Sequence, residues 1–231
     1  MTRYRAHMPL RTLSALVIAG VLLLTGCATG SPTASAPTTT ASSTPTPTAT
    51  PTPTPTPTQS DRLIVSVDAI TLERDGAEEV HPLADGTAIV GLFAAVTGEP
   101  VAGEEYDGPY GSEGGVRYTW DGVTVSVDAY DGSAWVMFDG TSVGDVPITT
   151  PEGIGVESTR VQALAAGALD RCTYDSDGDG QSDALAIQLV EVADTKSLCR
   201  EESTGVMFVE LGFTGDTVSS IRVPMNDFSD I

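Results

Sequence analysis

Most apolar segments after residue 60 alternate with polar positions at the two-residue period of a β-strand. The clearest case is Val116 to Trp120 and Val123 to Val127, which flank Asp121-Gly122 and therefore predict a hairpin with a tight turn. Arg74-Asp75-Gly76 and Thr214-Gly215-Asp216 predict two more turns. The other predicted strands are Leu63 to Val67, Ala69 to Leu72, Trp135 to Phe138, Ala184 to Val192, Val206 to Phe213 and Val218 to Val223.

Two segments have helical spacing instead. Thr87 to Val96 follows an Asp-Gly turn and stops before Thr97-Gly98-Glu99-Pro100, a run of residues that ends helices. The second helix is predicted over Ser158 to Leu169, where a Ser-Thr pair caps the start. This assignment puts one set of apolar residues on a single face: Val161, Leu164, Ala165 and Ala168.

The elements follow the same order twice: strands, a helix that begins just after a glycine turn, an acidic glycine-rich connection, and then a hairpin. This order suggests a tandem duplication with halves at 61–130 and 131–231. It predicts an α+β fold in which each half packs one helix on an antiparallel sheet. The segment Gly153 to Thr159 resembles the start of the helix in small α+β modules of envelope lipoproteins and of the tandem β-lactamase-inhibitor-protein fold. That resemblance implies a fold and not an activity.

The start of the chain has a different pattern. A basic stretch with Arg3, Arg5 and Arg11 precedes an apolar run from Leu13 to Leu24. The run has about a dozen mostly apolar residues, whereas a membrane-spanning helix needs about 20. Residues 1–26 are therefore predicted to be a signal peptide that is removed after export.

Leu24-Thr25-Gly26-Cys27 ends this signal with an aliphatic residue, two small residues and a cysteine. The motif resembles the lipobox of bacterial lipoprotein precursors. The resemblance implies cleavage before Cys27, lipidation of its thiol, and a protein held on the outer face of the cell membrane. Two acyl chains bury many methylene groups at about 0.8 kcal/mol each, which is enough for stable anchoring. The alternative is an ordinary secretory signal that happens to precede a cysteine.

Residues 27–60 are predicted to be the lipidated cysteine and a disordered stalk. From Ala28 to Ser60 nearly every residue is Thr, Pro, Ser or Ala, with a Thr-Pro alternation from Thr44 to Thr58. Proline fixes φ and removes backbone donors, so such a segment stays extended and solvated and forms no core. The stalk would carry an extracytoplasmic domain, residues 61–231, away from the membrane and into the cell wall.

Charge limits the partners of this domain. The chain has a formal net charge of −21, and all 32 of its acidic residues follow residue 60. A surface of that sign repels phosphate backbones and anionic lipid headgroups, which argues against nucleic-acid binding and against docking on a membrane surface. Binding to a cell-wall polymer or to an envelope protein is the activity that we expect.

Two cysteines remain after Cys27. Cys172 and Cys199 would lie outside the cytosol, where an even number of cysteines normally forms disulfides. A metal role is disfavoured, because neither cysteine has a Cys or His partner at ligand spacing. We therefore predict a Cys172–Cys199 disulfide.

The sharpest local signal is the acidic loop, residues 175–183. Its aspartates Asp175, Asp177, Asp179 and Asp183 stand at positions 1, 3, 5 and 9 of a calcium-binding loop, with glycine at position 6 and the Gln181 carbonyl at position 7. Alternate residues of a tightly turning loop point inward, and a hard cation needs six to eight oxygen ligands. The loop therefore predicts a structural Ca²⁺ site.

The loop departs from an EF-hand at its end. Position 12, where a bidentate glutamate should stand, is Ala186, and a strand-like apolar run follows in place of a helix. The pattern is more similar to the DxDGDGxxD loops of extracellular calcium modules. The alternative is an ordinary solvated acidic turn, in which four aspartates would repel one another.

Other chemical motifs are weak. Gly140-Thr141-Ser142-Val143-Gly144 fits G-x-S-x-G, but no helix is predicted after it, and His81, the only histidine after the signal peptide, precedes the serine. We interpret this segment as a hairpin turn and His81, close to Glu78 and Glu79, as a surface residue. The prediction is a non-enzymatic binding or structural module. The alternative is a cell-wall glycan hydrolase that uses two of the many carboxylates.

Aromatic residues concentrate between Tyr106 and Trp135, a segment with both tryptophans and four of the six tyrosines. Aromatic faces beside acids can stack on sugars, which makes glycan binding by this segment a hypothesis. Aromatic residues of hairpins more often pair across strands and fill the core.

Overall fold

The computed structural model describes residues 61–98, 101–108 and 114–228. The predicted signal peptide, Cys27 and the predicted stalk lie outside these ranges. Within them, no helix combines the length and the apolar character needed to cross a bilayer. The elements are β1 (Arg62–Val65), β2 (Ala69–Arg74), β3 (Ala77–Pro82), α1 (Gly86–Thr97), β4 (Glu104–Tyr106), β5 (Gly115–Trp120), β6 (Val123–Asp128), β7 (Ala134–Phe138), β8 (Ser142–Val143), β9 (Val146–Thr149), α2 (Arg160–Ala165), β10 (Ala184–Glu191), β11 (Val206–Thr214) and β12 (Thr217–Asn226).

The described strands form two sheets, and most of their buried apolar residues belong to one core, while Ala186, Val206 and Phe208 form a second, small cluster. The five-stranded sheet has the order β3-β2-β1-β9-β8, and in it only β1 and β9 run parallel. The seven-stranded sheet has the order β10-β11-β12-β7-β6-β5-β4 and is antiparallel throughout. The predicted α+β class with largely antiparallel sheets is confirmed, and the described part of each half contains one helix.

Both sheets combine strands from the two predicted halves. Strand β9 pairs with β1, and β7 pairs with β6 on one side and with β12 on the other. The segments 61–130 and 131–231 are therefore not separate structural units. The tandem duplication stays a prediction.

The hairpin signals are confirmed, but four of the described strands were not predicted. Trp120 pairs with Val123 across Asp121-Gly122, and Thr214 pairs with Thr217 in the β11–β12 hairpin. The strands that were not predicted are β3, β4, β8 and β9, and all of them except β9 lie at sheet edges. The residues of β3 and β4 are mostly exposed, so these two strands lack the alternation that a half-buried strand shows.

Helix α1 packs between the sheets, since it contacts β3 and β8 of one and β5, β6 and β7 of the other. The Asp85 carboxylate caps it by accepting a hydrogen bond from Ala88 N at 3.0 Å. Its fully buried Phe93 lies 5.9 Å, between ring centroids, from both Trp120 and Phe138. The helix spacing predicted over 87–96 is thus confirmed to within a residue at each end.

Helix α2 is shorter than predicted. A capping box of Thr159 and Gln162 begins it, but it ends at Ala165 and not at Leu169. Gly167 follows with φ +96°, and Ala168 N donates to Ala163 O at 3.0 Å, which is the hydrogen bond of a Schellman-type helix end. Leu169 then pairs with Ala186 and extends the edge of the seven-stranded sheet.

The inward face of α2 also differs from the predicted one. The Arg160 guanidinium lies 4.1 Å from the Phe213 ring centroid, and it donates to the Ser182 and Gly215 carbonyls at 2.8 and 3.0 Å. These contacts orient the helix so that Arg160 is buried, while Val161 and Leu164 are 76% and 50% exposed. Ala165 is exposed as well, so the predicted apolar face was wrong for three of its four residues. The hydrogen bonds and the cation–π contact of Arg160 decide the orientation of this short helix instead.

Candidate binding site

The connection from α2 to β10 is held at its start by a buried ion pair and a disulfide. Arg171 Nε donates to Asp227 Oδ2, and the two side chains are only 10% and 0% exposed. The next residue, Cys172, is bonded to Cys199, and their Cα atoms are 4.9 Å apart. The predicted pairing is therefore found in the structure. The two cysteines are 27 residues apart in the sequence, and a cross-link over that distance contributes about 3 to 4 kcal/mol to stability in the chain-entropy model.

Asp227 is the centre of this anchor. Besides Arg171, its carboxylate accepts hydrogen bonds from Ser197 Oγ at 2.6 Å and from Val206 N at 2.8 Å. Burial alone would raise the pKa of Asp227, but these hydrogen bonds and the positive charge of Arg171 outweigh burial and lower that pKa. The ionised carboxylate thus joins three segments: the start of the acidic connection, the turn at Ser197, and the first residue of β11.

The far end of the acidic loop is held by backbone hydrogen bonds. Asp183 N donates to Tyr174 O at 2.6 Å, and Asp183 O accepts from Phe213 N at 2.7 Å. The bond from Arg160 to the Ser182 carbonyl adds a third connection here. The loop is therefore closed at its base and fixed to the β11–β12 hairpin.

Three of the predicted calcium ligands come together, and we call them the Asp group: Asp175, Asp177 and Asp183. One carboxylate oxygen of each lies within 4.8 Å of the others. Oxygen ligands of Ca²⁺ lie 2.3–2.6 Å from the ion, so two ligands of one ion are separated by up to about 5 Å. The Asp group can therefore hold a metal ion.

Hydrogen bonds within the loop position these carboxylates. Asp175 accepts from Gly178 N at 2.7 Å and from Gly180 N at 3.0 Å. Asp183 accepts from the hydroxyl and the backbone N–H of Ser176, which lowers the pKa of Asp183 because both bonds favour the ionised form. Gly180 has φ +86°, a left-handed conformation that a side chain would disfavour.

Asp179, which the sequence also predicts as a ligand, does not join the Asp group. Asp179 Oδ1 accepts from Gln181 N at 2.7 Å, and Gln181 Nε2 lies 3.4 Å from Asp179 Oδ2. An aspartate readily bonds the backbone two residues further on, and this local bond pairs Asp179 with Gln181. The Gln181 carbonyl stays a predicted ligand.

The chain leaves the loop as a strand. Ala186, at the position of the EF-hand glutamate, is 1% exposed and lies in β10 opposite Glu210. The expectation that no helix follows the loop is confirmed. Among the described residues, the acidic group that can hold an ion lies entirely within the loop.

A cavity of about 430 Å³ lies beside the acidic loop and shares Asp177 and Asp183 with it. The rest of its lining comes largely from β10, β11 and β12. Ala184 pairs with Gly212, and Gly212 pairs with Ser220, so these three small residues share one face of the sheet. Their small size leaves room for the cavity, whereas the opposite face of these strands is part of the core through Ile187, Val209, Leu211 and Ile221.

The strong charges on the sheet side of the cavity are paired. Arg222 Nη1 donates to Glu210 Oε1 at 2.9 Å across β11 and β12. Arg222 Nε is buried and makes no hydrogen bond to the described part of the chain. On the opposite side, Arg171 lines the cavity while it is paired with Asp227. The cavity therefore offers both donors and acceptors in fixed positions.

Sequence reasoning missed this cavity. Its signal is a set of small and charged residues at alternate positions of three strands: Ala184 and Ala186, Glu210 and Gly212, Ser220 and Arg222. Period-two alternation marks the face of each strand, but it does not say which strands are neighbours. Only the register places the six residues side by side.

Two further sequence candidates have other roles. Ser142 lies in β8, its hydroxyl donates to the Gly144 carbonyl at 3.0 Å, and strand β9 follows, so the segment is a hairpin and not a nucleophile elbow. His81 lies in β3, and its Nε2 is 3.2 Å from Glu79 Oε1. Its side chain is only 13% exposed, so the expectation of a surface residue was wrong. The reason is its position opposite Ile70 in the sheet.

The aromatic residues of the segment from Tyr106 to Trp135 do not share one environment. Trp120 is 8% exposed and packs on Phe93 in the core, with Tyr118 stacked on it at 6.2 Å. Trp135 Nε1 lies 3.4 Å from the Met225 sulfur, while Tyr130 is 86% exposed. Tyr110 lies outside the described residues. Trp120 and Tyr118 therefore pack in or against the core, as aromatic residues of hairpins often do.

The pair of Arg171 and Asp227 gives a prediction for stability against pH. Asp227→Asn removes the charge that Arg171 needs, so we expect a loss of about 3–5 kcal/mol at pH 7, as for breaking a buried ion pair. Because the folded-state pKa of Asp227 is lowered, its contribution is present above the unfolded pKa of about 3.9 and is lost as pH falls through the folded pKa. Urea unfolding at several pH values measures both effects.

Asp145→Asn is the matched control, because Asp145 is exposed in the β8–β9 turn. It should change stability by at most about 0.5 kcal/mol. The difference between wild type and Asp227→Asn should shrink below pH 4. A difference that stays constant from pH 7 down to pH 2 would contradict the ionised role of Asp227.

Comparison with known proteins adds no functional assignment. No protein-family model, curated protein or solved structure matches the chain. The function proposed below is therefore argued from this chain's own residues and geometry.

Proposed function

We propose that the chain is a membrane-anchored surface lipoprotein with a non-enzymatic binding module and a calcium-stabilised loop. The observation that supports the module is the Asp group on a loop that also lines a cavity. The signal and the lipobox at Cys27 support the anchor. The extracytoplasmic location also agrees with the Cys172–Cys199 disulfide, because disulfides persist in oxidising compartments.

Calcium is the ion that we propose for the Asp group. Its ligands are all carboxylate oxygens, which favour hard cations over the metals that bind nitrogen or sulfur. Ca²⁺ tolerates irregular, water-rich coordination, whereas Mg²⁺ demands a near-ideal octahedron. Asp175 and Asp177 are exposed, so water can complete the coordination of an ion. Loops of this kind in extracellular modules bind Ca²⁺ at about 10⁻⁴–10⁻³ M.

Binding is favoured over catalysis by the composition of the cavity lining. It contains no histidine and no lysine, and its one cysteine, Cys172, is in a disulfide. Glu210 is paired with Arg222, and the remaining two carboxylates belong to the Asp group. A glycan hydrolase remains the competing function, because three carboxylates still line one cavity.

Calcium should raise the melting temperature of the full-length protein. At ten to a hundred times Kd the bound ion stabilises by about 1.4–2.7 kcal/mol. For a domain of this size that is a rise of roughly 3–10 °C. Scanning calorimetry between 0 and 10 mM CaCl₂ measures it, and EDTA should reverse it.

The control is a pair of matched substitutions. Asp177→Asn removes one ligand of the Asp group and should abolish most of the rise, whereas Asp145→Asn removes an exposed charge elsewhere and should leave it intact. An equal rise in both variants would assign the effect to general screening of the negative surface. No rise in the wild type would make the loop an ordinary acidic turn.

Anchoring is tested by Cys27→Ser. Without the thiol no diacylglyceryl group can be attached, so we expect the protein in the culture medium and not in the membrane fraction. Gly26→Ala keeps a small residue before the cysteine and should stay in the membrane fraction. Cell fractionation and immunoblotting measure both. Retention of Cys27→Ser in the membrane would refute the anchor.

Binding and hydrolysis are separated by incubating the full-length protein with isolated cell walls. We expect the protein to sediment with the walls and to release no reducing ends above a boiled sample. Release that is lost in Glu210→Gln would instead support the hydrolase, because Glu210 is a cavity carboxylate outside the Asp group. Sedimentation and a reducing-sugar assay on one sample provide both measurements.

A further inference from the structure

The cavity between the acidic loop and the β10–β12 face is lined by many groups that would not contact a calcium ion at the Asp group, such as Glu210, Arg222 and Phe208. Its volume of about 430 Å³ falls within the range of small-molecule sites, roughly 300–1,000 Å³. Its wall is held by the disulfide and by the Arg171–Asp227 pair, so little ordering is needed when a ligand enters. The charges and hydrogen-bonding groups of the lining determine which class of ligand fits.

Charge argues for a neutral ligand. The two arginines of the lining are each paired with a carboxylate, Arg171 with Asp227 and Arg222 with Glu210. An anion would have to compete with those carboxylates and approach a chain of net charge −21. An ammonium group would find Asp177 and Asp183 attractive only without the proposed calcium, and in this respect the argument rests on the proposed function. A neutral molecule need break neither ion pair.

Hydrogen-bonding capacity argues for a ligand with many hydroxyls. A guanidinium has five N–H donors and a carboxylate about four acceptor positions, so the Arg222–Glu210 pair keeps donors and acceptors after the two groups bond each other. Arg222 Nε in particular is without a hydrogen bond. The lining also has hydroxyl groups that can accept from a ligand, although those of Ser176, Ser182 and Ser219 already donate to Asp183, to the Ala184 carbonyl and to the Gly212 carbonyl. The hydroxyl residues of the lining are Ser176, Ser182, Thr214, Ser219 and Ser220.

The apolar surfaces suit the C–H faces of a ring. Ala184, Ala186 and Gly212 leave the sheet surface low between Phe208 and the acidic loop. Tyr174, which is 63% exposed, adds an aromatic side chain from the loop side. A sugar ring has C–H groups on one face and hydroxyls around its rim. The C–H face can pack on the aromatic and small residues of the cavity, while the hydroxyls reach the donors and acceptors around them.

We propose that this cavity binds a neutral carbohydrate of one or two sugar rings, with ring hydroxyls on Arg222 and Glu210. Among the partner classes expected for the chain, this selects a wall glycan over an envelope protein. The sugar-binding surface lies on β10–β12 and not on the aromatic segment between Tyr106 and Trp135.

The test is saturation-transfer NMR on the full-length protein in a detergent that carries no sugar, with 5 mM CaCl₂. The neutral probes are N,N′-diacetylchitobiose, maltose and lactose; benzoate and benzylamine are the anionic and cationic comparison ligands. We expect at least one saccharide to bind, and Arg222→Gln to weaken that binding by at least about tenfold, the effect of one lost charged hydrogen bond. Ala184→Phe should weaken it as well, because the larger side chain fills the space for the ring. Arg117→Gln and Ala193→Phe make the same changes at exposed positions outside the cavity and should bind as the wild type does.

The outcomes separate this inference from the proposed calcium site. A calcium-dependent rise in melting temperature without binding of any saccharide would overturn the carbohydrate proposal and leave the calcium site standing. Saccharide binding without that rise would support the cavity and overturn the calcium site. Tighter binding of benzoate or benzylamine than of every saccharide would refute a neutral ligand, and undiminished binding by Ala184→Phe would refute the location.

Discussion

The candidate site depends on one buried carboxylate. Asp227 follows the end of β12, yet it bonds the side chain of Arg171, the hydroxyl of Ser197 and the backbone of Val206. Two of these partners lie in irregular segments that contribute little to the apolar core. Hydrogen bonds to a buried charge are stronger than neutral ones, and a buried charge without partners is very unfavourable. The carboxylate therefore holds the two segments that the disulfide also joins.

A sheet with two unlike faces creates the space for binding. The inward face of β10–β12 has Ile187, Val209, Leu211 and Ile221 in the core. The outward face has small residues, one ion pair and, at one side, Phe208, and the acidic loop stands beside it. Had large apolar side chains filled the outward face, they would have packed under the loop and left no cavity. The acidic loop thus supplies both one side of this cavity and the ligands of the Asp group.

Electrostatics connects the two parts of the site. Asp177 and Asp183 belong both to the Asp group and to the cavity lining. A divalent cation at the Asp group would neutralise charge that otherwise adds to an already acidic surface. It would also hold the loop in the position that forms the cavity wall. Calcium and ligand would then be coupled through shared residues and not through a distant conformational change.

Local chemistry made several features readable from the chain alone. The Asp121-Gly122 turn, the span of α1 and the strands β10 to β12 follow from period, caps and turn residues, which act over a few neighbouring positions. The spacing of Asp175, Asp177 and Asp183 is equally local, because a tight loop brings alternate side chains together. The Cys172–Cys199 pair was predictable because only two cysteines remain after Cys27 and the predicted location outside the cytosol favours disulfides. The edge strands β3 and β4 were not, since an exposed edge has no buried face to mark it.

The sequence by itself thus determined the α+β class, the main hairpins, the acidic loop and the pairing of Cys172 with Cys199. Tertiary structure decided which face of α2 is buried, that Asp227 would anchor a loop 56 residues away through Arg171, and that six scattered residues would line one cavity. Those outcomes depend on strand register and on contacts between distant segments. A periodic pattern states which side of a strand is buried, but the neighbours of that strand are set only when the whole core packs.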